Sequence, residues 1–353
     1  MEGPDMQDAD AKGPATQGTG GQGGATQRAE AQGAGDRAVW PVLDYPSWRD
    51  AAATVQLWTQ IVGKVRLALT PWLNHGWHVT LVVNARGVGT GPIQAGRGLL
   101  EIDFDFIEHR LVVRTSDGVR AGFALEPMSV ASFYRRLMAE LETAGVPVSI
   151  DPTPNEVASP IRFPDDEVHA SYDAAAVHAF WRALVQVDRV FRLFRTGFLG
   201  KSSPVHLFWG SFDLAVTRFS GRPAPLHPGG VPGLPDAVTR EAYSHEVSSA
   251  GFWPGSDAYP QAAFYSYAYP APAGFSEATI EPSGATWAAA MGEWVLPYEV
   301  VRGAPDPDAV LLRFLETTYR AAADLAHWDP ALECGTGVPR RPRPVGAVAS
   351  GTP

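Results

Sequence analysis

The chain has 353 residues, 45% of them hydrophobic, and a formal net charge of −10. That size supports one large or two modest cores, and the acidic balance argues against a general binder of nucleic acid, which needs a basic face. Cys334 is the sole cysteine, which excludes an intrachain disulfide and a cysteine-based zinc site and fits a reducing compartment.

Residues 1–38 are mostly Gly, Ala, Gln, Asp and Thr, with no aromatic and almost no branched aliphatic side chain, a composition that cannot bury enough apolar surface to offset its own ordering entropy. They read as a disordered tail, as do residues 334–353, and a single globular module is expected over 39–333. The N-terminus lacks the basic-then-apolar pattern of a secretory signal, and no apolar run approaches the roughly 18 residues that span a bilayer. The expectation is a cytoplasmic protein with no membrane contact. Lys12, Lys64 and Lys201 are the only lysines. With so much Ala, Gly and Pro, the arginine bias reads as a GC-rich bacterial genome.

The first helix is carried by Ala51, Val55, Trp58, Val62, Val65 and Leu69 and ends at Pro71. Strands follow in which the period falls to two: Trp77–Asn84, then Leu100–Phe106, which turns through Glu108 and His109 into Leu111–Arg114. Asp117-Gly118 turns the chain again into Val119–Leu125. A second helix covers Ser129–Ala144. A third, over 173–199, pairs an apolar face of Val177, Phe180, Trp181, Leu184, Val187, Phe191, Phe194 and Phe198 with an arginine-rich one. Strands are expected near 205–219, 263–269 and 293–298, and a fourth helix from Asp306-Pro307, a cap followed by proline at the first helical position.

These elements predict an α+β fold with two helix–antiparallel meander–helix halves, about 45–148 and 173–330. They could be an internal duplication, or one common arrangement used twice. Only the second half contains a long stretch dense in Pro and Gly, Ser220–Gly255, which reads as an ordered loop packed over a sheet because it carries Tyr243, Phe252 and Trp253.

The segments WPVLDYPSW, LWTQIVGKVRLALTPWLNHGWHVTL, EIDFDFIEHRLVVRTSDG, GKSSPVHLFWGSFDLAVTRFSGR, AYSHEVSSAGFWPG and AFYSYAYP resemble a bacterial family known only as a domain of unknown function. The resemblance covers about 39–330. It implies domain limits and a bacterial origin, and brings no activity, substrate or cofactor.

Familiar catalytic motifs are missing: no complete phosphate-binding loop, no His-Glu-x-x-His and no Gly-x-Ser-x-Gly elbow. Glu101, Asp103 and Asp105 share one strand face, either a solvated surface or a divalent-metal platform to which His78 could contribute. In the long loop, Glu241 and His245 fall at i and i+4 if Asp236–Val247 is helical, a carboxylate–imidazole pair suited to acid–base work or to an ordinary surface hydrogen bond. His206, His245, Glu246 and Glu241 are therefore the catalytic candidates, and Tyr265, Tyr267, Arg240 and His227 the ligand-binding ones. His206 and Arg218 share one strand parity and Asp213 the other, so salt bridging is their expected role unless Gly210 forms a bulge. Tyr265, Tyr267 and Tyr269 put three phenols on one face, either the edge of the core or an aromatic wall for a ligand. Two functions stay open. One is a small-molecule-binding protein or enzyme with its pocket between the second-half sheet and residues 220–255; the other is a non-catalytic interaction module, in one form a homodimer.

Overall fold

The computed structural model describes residues 39–334; both expected tails, apart from Cys334, lie outside the described residues. The first helix, α1 (Tyr45–Leu69), begins after Asp44 with Pro46 in its first turn and leaves helical geometry at Thr70, just before Pro71. Its residues 54–65 are buried all round except Gln56, so it is a central helix and not an amphipathic surface one. Strands β1 (Val82–Val83), β2 (Gly87–Gly89), β3 (Ile93–Ala95), β4 (Gly98–Asp105), β5 (Arg110–Thr115) and β6 (Arg120–Ala124) form the first antiparallel sheet, ordered β1-β2-β4-β5-β6 with β3 beside β4. Helix α2 (Val130–Thr143) follows, its first turn capped by the Ser129 hydroxyl.

Helix α3 (Ala174–Arg195), capped by Asp173, opens the second half. Strands β7 (His206–Phe208) and β8 (Asp213–Pro223), helix α4 (Asp236–Ala242), and strands β9 (His245–Trp253), β10 (Ala263–Tyr269), β11 (Thr286–Ala288) and β12 (Glu293–Pro297) come next. The sheet order is β11-β12-β10-β9-β8-β7. Helices α5 (Tyr298–Arg302) and α6 (Pro307–Leu325) complete the half, α6 capped by Asp306. Fold class and the four long helices agree with the sequence reading.

Two strand expectations and one loop expectation do not. Trp77–Leu81 is a turn and an isolated bridge, and β1 keeps only two residues, because the backbone from Asn74 to Gly76 is wound into a short 3-10 turn. The stretch 205–219 is split by a reversal at Trp209–Phe212, where Phe212 adopts φ 60°. Residues 220–255 are also not one loop: β8 extends to Pro223, and β9 is an inner strand paired with both β8 and β10. The one long irregular stretch of 220–255 is Ala224–Pro235, and Val247, Ala250 and Phe252 of β9 are core residues.

In the first half, Phe133 of α2 stacks on Trp58 of α1 at 4.9 Å and on Phe104 of β4 at 5.9 Å. In the second, Phe264 of β10 meets Phe191 of α3 at 6.5 Å and Phe252 of β9 at 5.2 Å, so one sheet face packs on helices. On that face Arg218 lies over the rings of Phe194 and Tyr319 at 3.5 and 4.2 Å. The sheets meet edge to edge, where Leu81 and Leu207 exchange two backbone hydrogen bonds of 2.9 and 2.8 Å. Each half has six strands between two long helices, but the second inserts α4 between β8 and β9 and α5 before α6, the strand orders differ, and the correspondence stops there. Among the described residues no helix is long and apolar enough to cross a membrane.

Candidate functional site: a carboxylate and tyrosine cluster

Strand alternation gives the second sheet a face opposite its helices, carrying Asp213, Thr217, Ser249, Gly251, Tyr265, Tyr267 and Glu293. The register sets Tyr265 beside Gly251 and Val295, and its ring lies so close over Gly251 that a Cβ there would fall 2.2 Å from the phenol. Tyr265 and Tyr267 stack at 6.0 Å, Trp253 lies 5.5 Å from Tyr265, and Tyr243 closes the row with its hydroxyl 2.9 Å from that of Tyr267. His227 stacks on Tyr243 and lies tilted against Tyr269, both at 5.0 Å, tying the irregular 224–235 stretch onto this wall.

At its centre is Asp213, 7% exposed, whose two oxygens accept hydrogen bonds from the hydroxyls of Ser211 and Tyr265. Glu156 and Glu293, each partly buried, sit near enough for the Asp213 charge to act on both. Burial, reinforced by Asp213, pushes Glu156 and Glu293 up to about 7. Asp213 itself is raised by burial, its two hydroxyl donors pulling the other way. Among the described residues no Arg, Lys or His forms an ion pair with any of the three. Two part-buried glutamates within reach of a buried aspartate, none of them paired with a cation, are tolerated by taking up protons or a positively charged guest.

Glu156 is placed from α1 by side chains on a polar stripe at i, i+4 and i+8. Gln56 donates to Gly210 O at 2.6 Å, Gln60 donates to Asn155 O at 2.9 Å and accepts from its amide at 2.8 Å, and Lys64 donates to Thr153 O at 2.6 Å. The Glu156 amide then reaches Gly233 O at 3.1 Å, and its carboxylate crowds Gly210, where a Cβ would meet Oε1 at 2.0 Å. Glu156 at φ 54° and Phe212 at φ 60° are both left-handed non-glycine residues, a conformation that costs about 1–2 kcal/mol and persists where surrounding contacts enforce it.

The sequence-derived candidates divide around this cluster. Tyr265 and Tyr267 line it and His227 supports its wall. Arg240 is exposed, paired with Asp236 at 3.2 Å and bonded to the His227 and Pro228 carbonyls. Glu241 and His245 do not share a helix, because α4 ends at Ala242 and His245 opens β9; Glu241 instead accepts from the His75 amide at 3.1 Å. His245 lies 5.7 Å from the His75 ring. Glu246, on the opposite strand face, is held by Ser220 and Arg222 at 2.8 and 2.7 Å. His206 is 1% exposed, 3.1 Å from the Thr80 hydroxyl, and pushed down to about 3 by burial and by Arg66 and Arg195. His206 and Asp213 share a sheet face and Arg218 takes the other, since the reversal before β8 resets the parity.

Asp103 and Asp105 share a strand face as expected but are paired, Asp103 with Arg114 and Asp105 with Arg86, while His78 is turned to the Leu73 backbone at 3.1 Å. Among the described residues no group of three His, Cys, Asp or Glu is arranged to hold a metal ion. Two concavities lie apart from the cluster. A groove of about 460 Å³ runs beside Trp181 and Asp188, and a cavity of about 220 Å³ lies beside Glu246 and Trp328. The groove is a shallow helix surface whose Asp188 pairs with Arg192 at 2.6 Å. Glu156 and Glu293 were not singled out from sequence; the available signal was the Gln56, Gln60 and Lys64 stripe inside an otherwise apolar helix.

Fold and site together define an α+β protein with a carboxylate–tyrosine cluster on the covered face of its second sheet. The chain belongs to the DUF5996 family, described as a family of unknown function, whose model matches residues 40–334. No curated protein and no solved structure matches it.

Proposed function

We propose that the protein binds a small cationic molecule, an amine or guanidinium, between the second sheet and the segments that cover it. The observation that carries this reading is Asp213: a buried carboxyl held by two hydroxyls, flanked by Glu156 and Glu293 and walled by Tyr265, Tyr267 and Tyr243, with no basic side chain among the described residues paired to it. A cation gains there from both carboxylate attraction and aromatic faces. Its arrival lowers the proton affinity of Glu156 and Glu293, so binding releases protons and tightens from pH 5.5 to pH 8.

The test is titration calorimetry of the full chain against small amines, guanidines and quaternary ammonium ions, with neutral sugars and carboxylates as controls. The expected result is binding of at least one cation with proton release, lost in Asp213→Asn. Binding confined to neutral or anionic compounds, or undiminished in Asp213→Asn, would overturn it.

A further inference from the structure

A second arrangement lies at the other end of β8, six residues along the strand from Asp213. Lys201 precedes β7 and is fixed there by its own carbonyl, which accepts from the Phe219 amide at 3.0 Å. Its Nζ lies 2.6 Å from Nε2 of His75 and over the rings of Trp77 and Phe219 at 5.3 and 5.0 Å. His75 is 5% exposed and held in the left-handed region at φ 60°, a conformation that needs enforcement in a non-glycine residue. The enforcement comes from Glu241, whose carboxylate accepts from the His75 amide at 3.1 Å and whose carbonyl lies 3.3 Å from Nδ1. With Nδ1–H donating to that carbonyl, the Nε2 lone pair is aimed at the lysine nitrogen.

Lys201 is thus an amine whose nearest polar partner is a neutral imidazole. Among the described residues no carboxylate reaches ion-pair distance of it, and Glu241, the nearest acid acting on it, already serves His75. Burial holds Lys201 below the ordinary lysine range, with Glu241 pulling the other way. Burial first and the Lys201 charge second hold His75 below the ordinary histidine range. Lys64 is the internal contrast. It too is lowered by burial, but it is 4% exposed, donates to Thr153 O at 2.6 Å and pairs with Asp151 at 3.7 Å. Lys201, in contrast, is exposed as a residue, and a reagent can approach it from solvent.

We propose that Lys201 is a nucleophilic amine that captures small aldehydes as an imine, with His75 as its proton relay. The ammonium gives one proton to His75 Nε2, and the freed nitrogen pair attacks the carbonyl carbon. The nitrogen of the adduct passes one proton to the new alkoxide to give the carbinolamine, whose hydroxyl takes up the proton held by His75 and leaves as water while the carbon–nitrogen double bond of the protonated imine forms. No external oxidant or reductant is needed, and imine formation is reversible. Aldehydes with a flat apolar body fit best, because Trp77 and Phe219 offer ring faces beside the nitrogen. The site uses none of the groups around Asp213 and stands apart from the cation-binding reading.

The test uses benzaldehyde with cyanoborohydride on the full chain at pH 7, with peptide mass mapping of N-benzylation at Lys12, Lys64 and Lys201 over time. The expected result is labelling of Lys201 at least tenfold faster in the folded chain than in the same chain unfolded in urea, with Lys64 slower when folded. His75→Gln should reduce the Lys201 rate at least fivefold, with circular dichroism reporting the fold. If His75→Gln fails to fold, the folded-to-unfolded ratio of the unaltered chain decides alone. A Lys201 rate equal to or below its unfolded value, or one unchanged in a folded His75→Gln protein, overturns the proposal.

Discussion

Removing the Tyr265 hydroxyl leaves Asp213 with Ser211 as its one side-chain donor. A hydrogen bond to a charged group contributes about 1.5–3 kcal/mol, so Tyr265→Phe should lower stability by about that much at pH 8, read from urea unfolding. The two glutamates have the opposite pH sign from a salt-bridged carboxylate. Their folded pKa, about 7, exceeds the ordinary glutamate value of 4.5, so the native state holds protons that the unfolded chain has released. The stabilisation they give is complete below the unfolded value and is lost as pH rises through about 7. Unfolding free energy should therefore fall between pH 5 and pH 8, by about 1–2 kcal/mol per carboxyl after solvent screening. In Glu156→Gln or Glu293→Gln the slope should flatten; an unchanged slope would mean that the carboxyl does not titrate in that window. At this scale the tyrosines were legible in the strand alternation of residues 263–269. Asp213 was expected to form a salt bridge, and its place beside Glu156 and Glu293 was not legible, since a reversal of chain parity at Phe212 and a contact between residues 156 and 210 leave no trace in local periodicity.

Helices were legible because their signals are local: Ser129, Asp173 and Asp306 each accept a hydrogen bond from a first-turn amide. Ser129→Ala should cost about 1 kcal/mol in chemical unfolding. Strand β9 was hidden because Pro and Gly crowd the residues before it, and what makes it a strand is pairing with β8 and β10. Helix α1 offers a sharper test. Replacing a mid-helix glycine by alanine ordinarily stabilises a helix by up to about 1 kcal/mol. At Gly63, however, a Cβ would meet the Trp209 ring at 2.2 Å, and that indole is pinned by its bond to Val79 O at 2.8 Å. Overpacking costs about 1–3 kcal/mol, so Gly63→Ala should lower Tm in calorimetry. A rise would show that Trp209 can yield.

The two-part organisation was legible from element order, but not how the parts join. Pairing of Leu81 with Leu207 spans 126 positions along the chain, and no local pattern announces such a contact. With α1 buried on nearly every side and stacked through Trp58 on Phe133, the halves should melt together. Tryptophan fluorescence and far-ultraviolet circular dichroism should trace one urea transition. Trp58→Ala should shift that transition by about 3–5 kcal/mol without splitting it; two separated transitions would show independent halves.

The edge-to-edge join also governs how the protein behaves towards its own copies. A bare strand edge offers backbone donors and acceptors to any neighbouring chain, and here each sheet lends one such edge to the other. The far ends of the two sheets are β6, which carries Arg120 and a left-handed Gly122, and β11, three residues long, both poor templates for strand addition. Substitution of Leu81 or Leu207 by a residue that opens the join would unmask two templates at once, and its signature would be fibril growth.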